Sequence, residues 1–197
     1  MNAQQIDDIE LPICEEPLQP QGFVHQNRPS ESEFKLPTNR DDGIVKPSGG
    51  MWTSTITEED GQPTNGWLEW CSAERWGLSD QHTLYRLEPE TYLQVLEIDS
   101  ATDLQRVLHL YERDDLPEVL LNGTFAPLDF EALAGGFDAI RLTECGQRDT
   151  RFSRPGLYGW DSECVLALDW IWQSVEVVRP IDPEAEYREP HEYEAEQ

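Results

Sequence analysis

Tyr92-Leu93-Gln94-Val95-Leu96-Glu97-Ile98, then Asp99-Ser100, then Ala101 through Tyr111, carries the plainest fold signal in the chain. Alternation puts Tyr92, Gln94 and Leu96 on one face of a strand over 92–98. Ser100 is a strong helix N-cap, and Asp103 stands three residues on in capping-box spacing. Leu104, Val107, Leu108 and Tyr111 recur at the helical period, which predicts a helix with one apolar face. Outward from this unit, β-branched and aromatic runs predict short strands at 22–27, 51–56, 83–87, 137–143, 158–168 and 174–178. A short helix is expected over Trp67–Arg75, and another from Pro127 through Phe130 and Leu133 to Gly135-Gly136. Residues 29–49, those up to Asn65, and 144–156 read as loops. Short strands in mixed order with a few helices predict an α+β fold rather than a doubly wound parallel one.

The solvent is constrained by charge. Forty acidic residues face fourteen basic ones, of which only Lys35 and Lys46 are lysines, and the formal net charge is -26. Such self-repulsion opposes a compact state unless salt screens it; at molar salt the Debye length is roughly 3 Å. The expectation is a halophilic protein, from a haloarchaeon or a virus of one, with Arg favoured over Lys because guanidinium is more weakly hydrated. An acidic nucleic-acid mimic and an ordinary domain with acidic tails are the alternatives. Residues 1–20 carry -5 and residues 181–197 carry -6, leaving -15 for the body, which favours salt adaptation over acidic tails alone. The same sign disfavours direct binding to nucleic acid or to an anionic membrane.

The length suits a single domain over 21–180, flanked by a poorly ordered acidic arm at 1–20 and a polar acidic tail at 181–197. Seven Trp, six Tyr and six Phe supply core volume despite low mean hydropathy. Cys14, Cys71, Cys145 and Cys164 form no C-x-x-C pair, so no metal knuckle is expected, and Cys71 and Cys164 read as small buried hydrophobes. No apolar run approaches the roughly 20 residues of a membrane span, and no signal-peptide pattern is read at the N-terminus. A reduced, cytoplasmic protein is expected, with a virion as the alternative place.

Three segments stand out for chemistry. Phe23-Val24-His25-Gln26 puts a histidine on a strand, with Arg28 just beyond. Met51-Trp52-Thr53-Ser54-Thr55 follows a Lys46-Pro47-Ser48-Gly49-Gly50 loop. Tyr158-Gly159-Trp160-Asp161-Ser162-Glu163-Cys164 comes late. In order and separation these segments resemble the ADP-ribosyltransferase-like superfamily of phages and prokaryotes. Its members carry a strand-borne His or Arg, a hydroxyl motif on a following strand, and a late acid-x-Glu pair.

The resemblance implies an ADP-ribosyltransferase-like split, mixed β-sheet core with short helices. It implies NAD as substrate and mono-ADP-ribosyl transfer to a macromolecular target, most simply a protein, in virus–host conflict. Glu163 would stabilise the cationic ribose formed as the nicotinamide bond breaks, and Asp161 would orient the nucleophile. His25 or Arg28 would bond the adenosine ribose or the pyrophosphate. Ser54 and Thr55 would support the site, and Trp52 or Tyr158 would stack on nicotinamide. Two departures stand against the pattern: His25 is followed by Gln26-Asn27, and the acid pair begins with the shorter Asp161.

Each residue also has a plainer reading. His25 can be a satisfied core histidine, and Ser54 and Thr55 ordinary strand residues. Glu163 can be held by an Arg from 148–154, and Trp67 with Trp70 can be core. The alternative from another class is a non-enzymatic virion or accessory protein that keeps the fold.

Overall fold

The structure is a computed structural model, and it describes residues 9–40, 46–116 and 124–187. Eight strands are β1 (Gln21–His25), β2 (Met51–Glu59), β3 (Gln62–Asn65), β4 (Thr83–Pro89), β5 (Val95–Ile98), β6 (Ala139–Leu142), β7 (Cys164–Ala167) and β8 (Trp172–Pro180). Among the described residues the α-helices are α1 (Gly66–Glu74), α2 (Ala101–Tyr111), α3 (Phe130–Ala134), α4 (Glu144–Thr150) and α5 (Pro183–Glu186), with a single 3-10 turn at Glu31–Glu33. The strands form one open sheet in the order β5-β6-β7-β2-β1-β4-β8, with β3 hairpinned onto β2. Only β5 and β6 run parallel, joined by a connection that contains α2 and α3. The architecture is therefore α+β, with a mostly antiparallel sheet and few short helices.

The unit of edge strand β5 and helix α2 forms for the reasons its sequence gives. Ser100 Oγ accepts a hydrogen bond from Asp103 N (3.2 Å), and the α2 face of Leu104, Val107 and Leu108 is buried. That face packs with Leu96, Ile98, Ile140, Leu142, Leu166 and Trp160 in the largest apolar cluster. The opposite face of the sheet holds Met51, Leu87, Val95, Ala139, Val165 and Ala167 in a second cluster. α1 contributes Leu68 to a third, with Leu84 and Ile181. Cys71 and Cys164 are buried, as expected.

Several expectations need correction. β5 begins only at Val95, and Tyr92, outside it, is almost fully exposed; within β5 Val95, Leu96 and Ile98 are all buried, so both faces are covered rather than alternating. The polar stretch before Asn65 is a hairpin: Asp60 and Gly61 both take positive φ (50° and 74°) in a two-residue turn that pairs Glu59 with Gln62. The expected loop at 144–156 begins as α4, which Thr143 caps by accepting from Gly146 N (3.0 Å). Gly146 breaks the helical pattern in sequence because the helix presses on β5 there. A Cβ at that position would stand 2.0 Å from Ile98 O. The strand expected over 158–168 shrinks to Cys164–Ala167; upstream, Gly159 adopts φ 102° and Trp160 folds into the core.

The packed body also reaches beyond 21–180. Ile13 bridges Leu96, Glu97 N donates to Pro12 O (2.8 Å), and Leu18 is buried, so residues 12–18 lie along the sheet. At the other end Ile181 is buried, and α5 is tied to Ser72 and Arg179 through Glu186. The remainder of the expected arm and tail, 1–8 and 188–197, lies outside the described residues. Among the described residues no helix is long and apolar enough to cross a membrane.

Candidate functional site

The site follows from an interruption in the sheet. β1 pairs with β2 only at Gln21↔Thr55 and Gly22↔Ser54. Beyond that point β1 continues against β4 through Phe23, Val24 and His25, while β2 continues against β7 from Thr53 to Met51. The two strands part, and the sheet opens into halves β5-β6-β7-β2 and β1-β4-β8. A strand edge without a neighbour leaves backbone donors and acceptors to be met by something else.

A cavity borders the gap on each face. The first, about 280 Å³, is lined by Gly22, Val24, Trp52, Ser54, Trp67, Trp160, Asp161 and their neighbours. The second, about 600 Å³, is lined by Phe23, His25, Arg28, Phe34, Lys35, Met51 and their neighbours. Side chains alternate along a strand, so Gly22, Val24, Trp52 and Ser54 face one way, and Phe23, His25 and Met51 the other. Phe23 and Trp52 belong to the walls of both cavities. Both lysines of the chain stand at the gap, Lys46 at the first cavity and Lys35 at the second.

The first cavity is aromatic with a charged rim. Trp52 meets Trp160 edge-on (centroids 4.6 Å apart, 83°), and Lys46 Nζ lies 5.2 Å from the Trp52 ring centre. Asp161 stands between two cations, Lys46 Nζ at 3.8 Å and Arg151 Nη2 at 3.7 Å. Both separations exceed hydrogen-bond length, so the carboxylate keeps lone pairs for another partner. Asn65 caps α1 through its Oδ1 on Leu68 N (2.8 Å). Its Nδ2 is buried beside Gly22 and has no hydrogen-bond partner among the described residues.

Glu163 is placed differently. The β2–β7 ladder ends at Thr53↔Val165, and Glu163 prolongs it with side-chain groups. Its Oε1 accepts from Thr55 Oγ1 (2.7 Å) and its Oε2 from Thr55 N (3.0 Å), while Ser54 Oγ donates to Glu163 O (2.9 Å). Thr55 Oγ1 accepts in turn from Gln21 Nε2 (3.3 Å), whose Oε1 accepts from Thr53 Oγ1 (3.1 Å). Burial pushes the Glu163 carboxyl above its ordinary range, against the pull of its Thr55 bonds and of the Arg141 charge. Arg141 itself pairs with Glu97 (2.9 Å).

Of the residues singled out in sequence, Trp52, Ser54 and Asp161 line the first cavity together. Ser54, Thr55 and Glu163 meet through hydrogen bonds, but Glu163 is on the wall of neither cavity. His25 and Arg28 border the second cavity; His25 stacks on Phe23 (5.3 Å, 20°), and Arg28 Nη2 donates to Val175 O (2.6 Å). Tyr158 points outward beside Phe152, with the Arg151 guanidinium 5.8 Å from its ring, and borders neither cavity. Trp67, expected as core, is a cavity wall while stacking on Trp70 (5.0 Å, 17°). Lys46, Lys35, Trp160 and Gln21 were not read as site residues. The two lysines could have been found from their scarcity alone.

No family model, no curated protein and no solved structure matches the chain.

Proposed function

We propose that this chain binds an NAD-type dinucleotide at the gap between β1 and β2, with the nicotinamide end in the tryptophan-walled cavity. The observation that carries this reading is the parting of β1 and β2 over a cavity whose wall combines three tryptophans with one carboxylate, Asp161. Flat rings stack on indole faces. A carboxylate beside the ribose stabilises the positive charge that develops as the glycosidic bond to nicotinamide breaks. The neighbour order β7-β2-β1 supports the same reading, because it brings the three motif-bearing segments side by side. On this account the reaction is ADP-ribosyl transfer to a macromolecule. Asp161 is its charge-stabilising residue, and Glu163 positions β2 against β7.

The test is NAD hydrolysis and labelled ADP-ribose transfer by the full chain in molar KCl, wild type against Asp161→Asn. Loss of a preorganised electrostatic contact should slow turnover on the order of 10²–10³-fold. Equal rates in the two proteins would remove Asp161 from the chemistry.

A second reading has its own support. Each Glu163 oxygen accepts a bond from Thr55, and the carboxyl lies on the wall of neither cavity, so the late glutamate of the resembled pattern is turned away from the site. That favours a non-enzymatic accessory or virion protein that binds the ligand without turning it over. NAD binding with no cleavage in wild type would select this reading.

A further inference from the structure

The second cavity has chemistry of its own. Its floor is apolar, from Phe23, Phe34 and Met51, and its rim carries Arg28, Lys35 and His25 against a single carboxylate, Glu33. Basic side chains are scarce in a chain of net charge -26, so two of its fourteen Lys and Arg residues on one rim is a local reversal of sign. Glu33 is engaged by Ser30 Oγ (3.0 Å). The Lys35 side chain has no ion pair or hydrogen bond among the described residues.

The rim is held in place by backbone. Thr38 and Ser48 exchange two hydrogen bonds (2.7 and 2.9 Å), and Gly50 N donates to Lys35 O (2.8 Å). Gly49 and Gly50 both take positive φ (82° and 67°), which lets the chain turn from this ladder into β2. A Cβ on Gly49 would lie 2.5 Å from Leu36 O, so the close approach that fixes Lys35 needs glycine there. Arg28 is anchored on Val175 O, and His25 Nδ1 accepts from Asn27 N (3.1 Å).

We infer that this cavity is a binding site for a phosphoryl group carried on a flat ring, a nucleotide-like monophosphate, on the sheet face opposite the tryptophan cavity. Lys35 and Arg28 meet the phosphate, and Phe23 and Phe34 take the ring. The phosphoryl group could belong to a separate mononucleotide or to the dinucleotide of the proposed function, and competition separates these sources.

The experiment titrates the full chain in molar KCl with AMP, inorganic pyrophosphate, nicotinamide and NAD, reading heat of binding and melting temperature. Wild type should bind AMP saturably, and Lys35→Gln should bind it about tenfold more weakly or less, as expected for one charge-assisted contact. Lys35 is exposed and held only through its backbone, so this variant should melt with wild type. Lys35→Gln/Arg28→Gln should lose AMP binding altogether. If AMP and NAD compete, the phosphate belongs to the dinucleotide; if they bind together, the site takes a separate nucleotide. AMP binding without NAD binding leaves this site standing and removes the proposed function. NAD binding that is equal in wild type and the double variant, with no AMP binding, does the reverse. Absence of AMP and pyrophosphate binding, or binding indifferent to Lys35 and Arg28, overturns the inference.

Discussion

Replacing Glu163 by Leu should unlatch β2 from β7. The variant removes two hydrogen bonds to a charged acceptor, at 2.7 and 3.0 Å, and strands the Thr55 N–H and hydroxyl. Hydrogen bonds to charged groups contribute about 1.5–3 kcal/mol each. Against this stands the desolvation of the carboxylate, the same term that raises its pKa. A net loss of about 2–4 kcal/mol follows, and for a chain of this size about 2–4 °C of melting temperature per kcal/mol. Glu163→Gln keeps the shape and an acceptor for Thr55 N, so its loss should stay within about 1 kcal/mol. Acid titration separates the two states of the group. A carboxyl whose folded pKa is raised binds protons more readily in the folded state. Its contribution is fully present below the unfolded value near 4.5 and is lost as pH rises through the folded value. Wild type should therefore lose stability relative to Glu163→Gln across that interval and run parallel to it above. The assay is thermal melting of all three proteins in molar KCl from pH 4 to pH 8. A Glu163→Leu midpoint within about 0.5 kcal/mol of wild type would refute the latch.

Other outcomes follow from the same structure. Gly146→Ala should be severely destabilising, because its Cβ would meet Ile98 O at 2.0 Å and Ile98 C at 2.9 Å; circular dichroism melting checks it, and a wild-type midpoint contradicts the α4–β5 contact. Leu104→Ala, at a fully buried α2 position, should cost roughly 2–5 kcal/mol in denaturant titration, and a cost under about 1 kcal/mol would mean that α2 does not pack as described. The melting midpoint should rise with KCl into the molar range, because -26 of net charge is screened; a flat or falling midpoint contradicts the halophilic reading.

The β5–α2 unit and β2 are legible in the sequence because their signals are local. The Ser100 cap, the Leu104-Val107-Leu108 face and the β-branched run at 51–56 each need only a few neighbouring residues to be read. What failed was set by contacts distant in sequence. The stretch 144–156 reads as a loop until Gly146 is seen packed against Ile98 O, and Glu163 reads as a catalytic or Arg-held acid until Thr55 is seen bonding both its oxygens. Asp60-Gly61 was a local hairpin signal and could have been read. The nearness of Ser54 to Glu163 was expected, whereas the separation of His25 from them was not. It depends on where β1 leaves β2, and pairing registers are not written in single strands.

The most direct test of the central claim is tryptophan fluorescence under NAD titration in molar KCl, since Trp52, Trp67 and Trp160 wall the proposed site. The account predicts a saturable change in emission with a matching rise in melting temperature, and no such change when ligand is added to urea-unfolded chain. Emission and melting temperature that stay constant up to millimolar NAD would contradict it.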